Sequence, residues 1–431
     1  PVHGPQARTQ EVRPAVSNAD LFVRDIRELA TPSGDKALRG PEMAEVRAVS
    51  DAAVLIRDGR IAWAGPVAEA PAVPPGVPVL SAGGGTVVPG FVDSHTHFVF
   101  AGDRSEEFLW RAGGLPYMEI HRRGGGIRRS MDATRAASLD ELVAIGRKRL
   151  SVMLSLGVTT VEGKSGYGMD LAAELRQLEA MDILGREQPV RIVPTFLGPH
   201  STPPEYAGRT SEVMDTVIRD MLPAVKARGL ARFCDVFCEK GVFELADSRR
   251  YLEAAKAAGF GLKVHADEIE RIGGAALAAE LGAASADHLL KCVPSDYEAL
   301  ARSSTVATCL PLTAFVLREP YADARGMIDS GCAVALASDL NPGSCYSQSI
   351  PLIFALAVLY MRLSVDEALC ALTLNGAAAL GLAGEVGSLE PGKRGDLVIL
   401  DAPSRAFLAY HSGMNLVKAT VIGGRLEYER P

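Results

Sequence analysis

Apolar residues follow two different rhythms along this chain. Between about Val88 and Leu382, short apolar runs of strand length alternate with longer segments whose apolar positions recur at helical spacing, as in SLDELVAIGRKRLSVMLSLG and DSRRYLEAAKAAG. The strand-like runs are TVVPGFVDSH, GVTTVEGKS, RIVPTFLG, FCDVFCE, GLKVHADE, SADHLL, TVATCLPL and AVALASDL. Apolar runs alternating with helices are the pattern of parallel strands buried on both faces. Eight of them predict an α/β fold, a (β/α)8 TIM-like barrel over residues 88–382. The flanks differ. DAAVLIRDGRIAWAGP is two strands around an Asp-Gly turn, and GKRGDLVILD and LVKATVIGGRLEYE repeat that style near the other end. This predicts a small β-sandwich-like domain formed by both chain ends, residues 18–87 plus 383–431. Residues 1–17, polar and Pro-rich, are expected to be a flexible terminus without a secretory leader.

In such barrels the chemistry sits at the C-terminal ends of the strands. The chain has only 8 histidines, yet His95, His97, His200, His265 and His288 all fall at or just beyond the ends of candidate barrel strands, as does Asp339. His95 and His97 are two apart in a strand, so both imidazoles leave the same face, close enough to share an ion. A mononuclear hydrolytic site needs three or four protein ligands and an open position for water. His95, His97, His265 and Asp339 supply that count. Glu268, three residues after His265, and Asp339 are the candidates to carry a proton. Arg104, in AGDRSEEF beyond the first strand, suits a bidentate grip on a carboxylate, or an ion pair with Glu106 or Glu107. Tyr167 sits on the Gly-flanked loop KSGYG, as a ligand contact or a packing tyrosine, and Asn341, Gly343 and Ser344 follow Asp339 into the same mouth.

The bulk numbers narrow the partners. A net charge of −7 and a pI near 5.7 argue against nucleic acid and anionic membrane surfaces. No apolar run approaches the roughly 20 residues of a membrane span. The 7 cysteines contain no CxxC, which fits a reducing cytoplasm better than a disulfide framework.

The run PGFVDSHTH with GKRGDLVIL near the end resembles the amidohydrolase superfamily. Within it, HTHFVFAGDRSEEF, GGGI at Gly124–Ile127, TTVEGKSGYG, TFLGPHSTPPEY, DVFCE, KVHADE, SADHL, SDLNPGS and AYHSGMN resemble the imidazolonepropionases of histidine degradation. The resemblance implies one zinc or iron per chain on His95, His97, His265 and Asp339. It implies substrate contacts from Arg104, Tyr117, Tyr167, His200, Glu268, Asn341, Gly343 and Ser344. The implied reaction is hydrolysis of the lactam C–N bond of 4-imidazolone-5-propanoate to N-formimidoyl-L-glutamate. Arg104 would hold the propionate, His200 and His288 would stabilise an oxyanion or orient water, and Glu268 or Asp339 would move the proton. The expected partner is a carboxylate-bearing small molecule, and the expected assembly a homodimer. Leu312, Val316 and Gly163 depart from the family pattern and leave a related ring open, a thio-imidazolone or hydantoin propionate. Two rivals stand beside this reading. One is a cyclic-amidine deaminase or a binuclear hydrolase bridged by a carboxylated Lys164; the other is a non-catalytic protein on the same fold.

Overall fold

The computed structural model describes residues 19–115, Glu119 and residues 126–431. The expected flexible terminus and Tyr117 lie outside the described residues. In chain order the strands are β1 (Leu21–Thr31), β2 (Arg47–Arg57), β3 (Arg60–Pro66), β4 (Val79–Ser81), β5 (Thr86–Pro89), β6 (Phe91–Asp93), β7 (Val158–Lys164), β8 (Arg191–Phe196), β9 (Phe233–Cys234), β10 (Phe237–Cys238), β11 (Gly261–Ala266), β12 (Ser285–His288), β13 (Val306–Cys309), β14 (Val334–Leu336), β15 (Leu397–Leu400), β16 (Val417–Ile422) and β17 (Arg425–Glu429).

The barrel strands pair in parallel in the order β14-β13-β12-β11-β9-β8-β7-β6, with β10 beside β11. The ladder stops short of joining β14 to β6, and the chain just beyond these two strands closes the gap. Ser338 donates its N–H to Asp93 Oδ1 at 2.9 Å and its hydroxyl to Asp93 Oδ2 at 2.6 Å. Asp339 N–H donates to His95 O at 2.9 Å, and His97 N–H to Leu340 O at 2.8 Å. The seam of the barrel and the floor of its mouth are therefore the same residues.

Helices cover the outside. The helix Leu139–Ser155 starts where Ser138 and Glu141 form a reciprocal capping box, with Ser138 N–H on Glu141 Oε2 at 2.8 Å and Glu141 N–H on Ser138 Oγ at 3.2 Å. It buries Leu142, Val143, Leu150 and Met153 in the main core. Both chain ends meet in one continuous sheet, β17-β16-β15-β5-β1-β2-β3 with β4 beside β1, over a second core that includes Val23, Leu29, Val54, Ile399 and Val421. The β2–β3 turn at Asp58-Gly59 has φ of 49° and 73°, as a tight hairpin matched to strand twist requires.

Two apolar runs divide where the sequence suggested single strands. TVVPGFVDSH breaks at Gly90: β5 joins the end sheet against β15, and β6 enters the barrel. A side chain at Gly90 would place Cβ 2.2 Å from Thr159 Oγ1, so only glycine lets the chain pass between the two sheets. FCDVFCE divides around Asp235 and Val236 into β9 and β10. Among the described residues, no helix is long and apolar enough to cross a membrane.

Candidate active site

The strand ends gather the expected histidines into one buried cluster. Ring centroids lie 4.5 Å apart for His95 and His265, 5.1 Å for His97 and His200, 5.1 Å for His265 and His288, and 5.3 Å for His95 and His288. Asp339 faces them, with Oδ1 3.6 Å from His95 Nε2 and 3.7 Å from His97 Nε2, while its Oδ2 accepts the Thr313 hydroxyl at 2.6 Å. Possible ligand atoms fall within 4.8 Å of one another in four overlapping sets among the described residues: His95, His97 and Asp339; His97, His200 and His265; His95, His265 and His288; and, below them, His95, Glu162 and Asp287. His95 Nε2 and His265 Nε2 are buried and have no hydrogen-bond partner among the described residues. Buried polar nitrogens without partners are rare, and two of them beside His97 and the Asp339 carboxylate suit a divalent metal such as zinc or iron.

Burial keeps the imidazoles neutral, as ligands must be. Desolvation, reinforced by Lys164 and the neighbouring rings, holds His95 and His265 well below the ordinary histidine value; His97 is lowered by burial and by His200. Desolvation likewise pushes Asp339 up to about 7. His288 and Asp339 have φ of 77° and 52°, left-handed conformations that are uncommon for residues with side chains. Such strain costs on the order of 1–3 kcal/mol per residue and collects where function requires it.

Beneath the histidines lies a fully buried ionic layer. Lys164 Nζ donates to Asp235 Oδ2 at 2.6 Å and Glu162 Oε1 at 3.1 Å, and Lys263 Nζ donates to Glu162 Oε2 at 2.8 Å. The layer's acids orient the rings above it. Asp287 Oδ2 lies 2.7 Å from His95 Nδ1 in a hydrogen bond, whereas Asp235 Oδ1 accepts the His265 backbone N–H at 3.1 Å and its Oδ2 stands 2.9 Å from a His265 Nδ1 that makes no hydrogen bond among the described residues. At His95, a proton held on Nδ1 leaves Nε2 as the free donor toward the cluster. Lys164 therefore has a different role from the bridging ligand weighed above. Burial alone would lower its pKa, but Asp235, Glu162 and Asp287 raise it above the usual lysine value. A carboxylated, anionic lysine there would face the carboxylates it now neutralises. Asp287→Asn is expected to keep the shape, lose the charge that aligns His95, and weaken metal affinity about 10–100-fold. Titration against a competing chelator measures this.

Buried acceptors hold the loops of the mouth by their backbone N–H groups. Glu174 accepts from Gly166, Gly168 and Met169 at 2.9, 2.9 and 2.7 Å, fixing the loop of Tyr167. Glu239 accepts from Ile269 and Glu270 at 2.8 and 3.0 Å, just beyond Glu268. Asn341 Oδ1 accepts from Gly343 and Ser344, both at 2.8 Å. Tyr167 is 4% exposed, its ring 5.4 Å from that of His97 and 5.1 Å from that of His200. His200 Nδ1 donates to Gly166 O at 2.9 Å, and burial lowers its pKa to about 4. Its Nε2 is then a lone-pair acceptor, which suits orienting a water better than stabilising an oxyanion. Glu268 is half-buried, with Oε2 3.5 Å from His288 Nδ1, and desolvation, followed by the Asp339 charge, pushes it up to about 8. Arg104 pairs with Glu107, not Glu106: Nε–H donates to Glu107 Oε2 at 2.8 Å, and Nη2 bonds Oε1.

The residues that depart from the family pattern spread unevenly. Gly163 points out of the barrel, where an added Cβ would meet Phe98 and Met181 at 2.7 and 2.8 Å, so it shapes helix packing and not the pocket. Leu312 is buried and Val316 half-buried on the helix Pro311–Leu317, which also carries Thr313. Asp235, Asp287, Glu162, Lys263, Thr313, Glu174 and Glu239 were not singled out from the sequence. Asp287 had one usable signal, its place beside His288 at a strand end.

Residues 86–426 match the amidohydrolase family. Similar proteins include the imidazolonepropionases of Porphyromonas gingivalis (56% identical over 412 residues, 95% of this chain and 97% of that protein), Parabacteroides distasonis (52% over 413 residues, 95% and 99%) and Clostridium tetani (48% over 417 residues, 96% and 100%). Among solved structures, an E. coli guanine deaminase superposes with a TM-score of 0.69 at 18% identity, covering 96% of this chain and 100% of that one. A triazine hydrolase variant superposes with 0.70 at 18% identity, covering 95% of each. At such identity the likeness speaks for the fold alone.

Proposed function

The chain belongs to the amidohydrolase family and within it to the imidazolonepropionases, and from that premise we propose that its barrel mouth hydrolyses the lactam C–N bond of 4-imidazolone-5-propanoate to N-formimidoyl-L-glutamate. The related-ring, deaminase and non-catalytic alternatives are not favoured by relatives that share this name over nearly the whole chain. The observation that carries the chemistry is that Asp339 Oδ1 stands 3.6 and 3.7 Å from His95 Nε2 and His97 Nε2 while the His265 ring packs against both, a donor set that suits one metal ion.

His95, His97, His265 and Asp339 would hold that ion, zinc or iron. When bound, it polarises a carbonyl and lowers the pKa of a water. The chain's own groups do the rest. Arg104 holds the propionate by its guanidinium, beside the Asn341–Ser344 turn. Tyr167 walls one side of the ring. His200, neutral and with Nε2 free, orients the attacking water, and His288 faces Glu268 across the mouth. Glu268 takes a proton from the water and returns it to the ring nitrogen as the C–N bond breaks. A carboxyl raised toward neutrality matches that double task, because transfer in both directions is easiest near the working pH. Tyr117 remains a candidate contact on motif alone. The reading also includes a reducing cytoplasm, where the seven free cysteines persist as thiols, and a homodimer, the commonest assembly.

The test is turnover of 4-imidazolone-5-propanoate by purified, metal-loaded protein, beside hydantoin-5-propanoate. Decay of the ring absorbance with formimidoyl-glutamate as product, and no hydantoin turnover, is the expected result. Turnover of the hydantoin alone would move the assignment to that ring.

A further inference from the structure

We propose that Glu107 is a positioning residue for the substrate-carboxylate clamp, fixing Arg104 by one edge of its guanidinium so that the other edge faces the mouth. The proposal rests on the reading of Arg104 as the group that holds the propionate. A guanidinium carries five N–H donors and two edges that can each take a carboxylate. Glu107 occupies the Nε–Nη2 edge through both of its oxygens. The Nη1–Nη2 edge is left for a second anion. The pair is enclosed, with side chains 13% and 6% exposed, so it differs from the mobile surface pairs that hold nothing in place.

Two further contacts fix the direction. Glu107 Oε2 also accepts the Gly126 N–H at 2.7 Å, so the carboxylate is anchored independently of Arg104. On the other side, Arg104 Nη1 lies over Gly343: a Cβ there would sit 2.2 Å from Nη1 and 3.0 Å from Cζ. Gly343 belongs to the turn that Asn341 pins directly after Asp339. The free edge thus lies against the segment that joins the carboxylate clamp to the metal cluster. Holding a long side chain in its bound position beforehand reduces what binding must order. Glu107 carries a negative charge near the substrate's own, so its presence implies that positioning outweighs repulsion.

The experiment is steady-state kinetics of the metal-loaded enzyme, with metal content and thermal midpoint measured for every variant. Glu107→Gln is expected to raise KM about 5–20-fold with kcat within about twofold and metal content unchanged. Gly343→Ala, which displaces the guanidinium from the other side, should raise KM in the same way. Arg104→Ala should raise KM about 100-fold, and adding Glu107→Gln to it should change KM no further, because Glu107 acts through Arg104. A lower KM in Glu107→Gln would overturn the proposal by showing that Glu107 competes with substrate. A further, additive loss in the double variant would also overturn it. Wild-type KM in Arg104→Ala would remove the carboxylate assignment itself, a failure distinguishable from that of Glu107 alone.

Discussion

Asp339→Ala is expected to lose the metal and the activity together. Asp339 is the anionic member of the proposed donor set, and its Oδ1 stands within 3.7 Å of two imidazole nitrogens that have been stripped of charge by burial. Without it, a cation would have to leave water for neutral rings alone, above carboxylates already paired with Lys164 and Lys263. Metal content should fall from about one ion per chain to below about 0.1, and kcat by on the order of 10⁴ or more. Elemental analysis and single-turnover kinetics read both. Misfolding would not explain this loss. Burial raises the Asp339 pKa from its ordinary 3.8 to about 7. A raised acid gives stability that is whole below the unfolded value and is lost as pH rises through the folded one. At pH 8 the metal-free parent carries that penalty and the Ala variant does not. The variant's thermal midpoint should equal or exceed that of the metal-free parent. Full metal retention in Asp339→Ala would remove it from the ligand set.

Glu268→Gln is the second large effect. The substitution keeps size and hydrogen-bonding capacity but cannot carry a proton, so kcat should fall about 10²–10⁴-fold with metal content and KM nearly unchanged. Glu268 is raised to about 8 by desolvation first and by Asp339 second. A bound cation offsets the Asp339 part, so in the loaded enzyme the group should titrate between the ordinary 4.5 and about 8. The working base is the ionised form, so kcat should rise with pH through this limb, and Glu268→Gln should abolish the limb. An unchanged limb in the variant would assign it to another group. A wild-type kcat would take Glu268 out of the reaction.

The contrast between these two residues and their supports marks what the chain discloses by itself. His95, His97, His265, His288 and Asp339 were legible because the strand period and the barrel rule act locally: a residue closing an apolar run lies at the mouth. Their supports were not legible, because they depend on strands far apart in sequence. Asp287 meets His95 only once the barrel has closed, across a separation of 192 residues. Asp235 reaches His265 because β9 and β10 lie beside β11. Lys164 looked like a bridging-ligand candidate because only the closed barrel shows the acids around it. Gly163 looked like a pocket change, yet it alternates outward between the inward-facing Glu162 and Lys164. The break at Gly90 was hidden because one apolar run serves two sheets. Arg104 was found, but its choice of Glu107 over the adjacent Glu106 depends on how the helix Ser105–Ala112 meets Gly126.

Metal-dependent lactam hydrolysis is tested most directly by titrating metal-free protein with zinc or ferrous iron while following the hydrolysis of 4-imidazolone-5-propanoate. The expected result is no turnover without metal, a linear rise in activity to a plateau at one ion per chain, and formimidoyl-glutamate as the product. Full turnover by the metal-free protein, or a plateau only at two ions per chain, would contradict it.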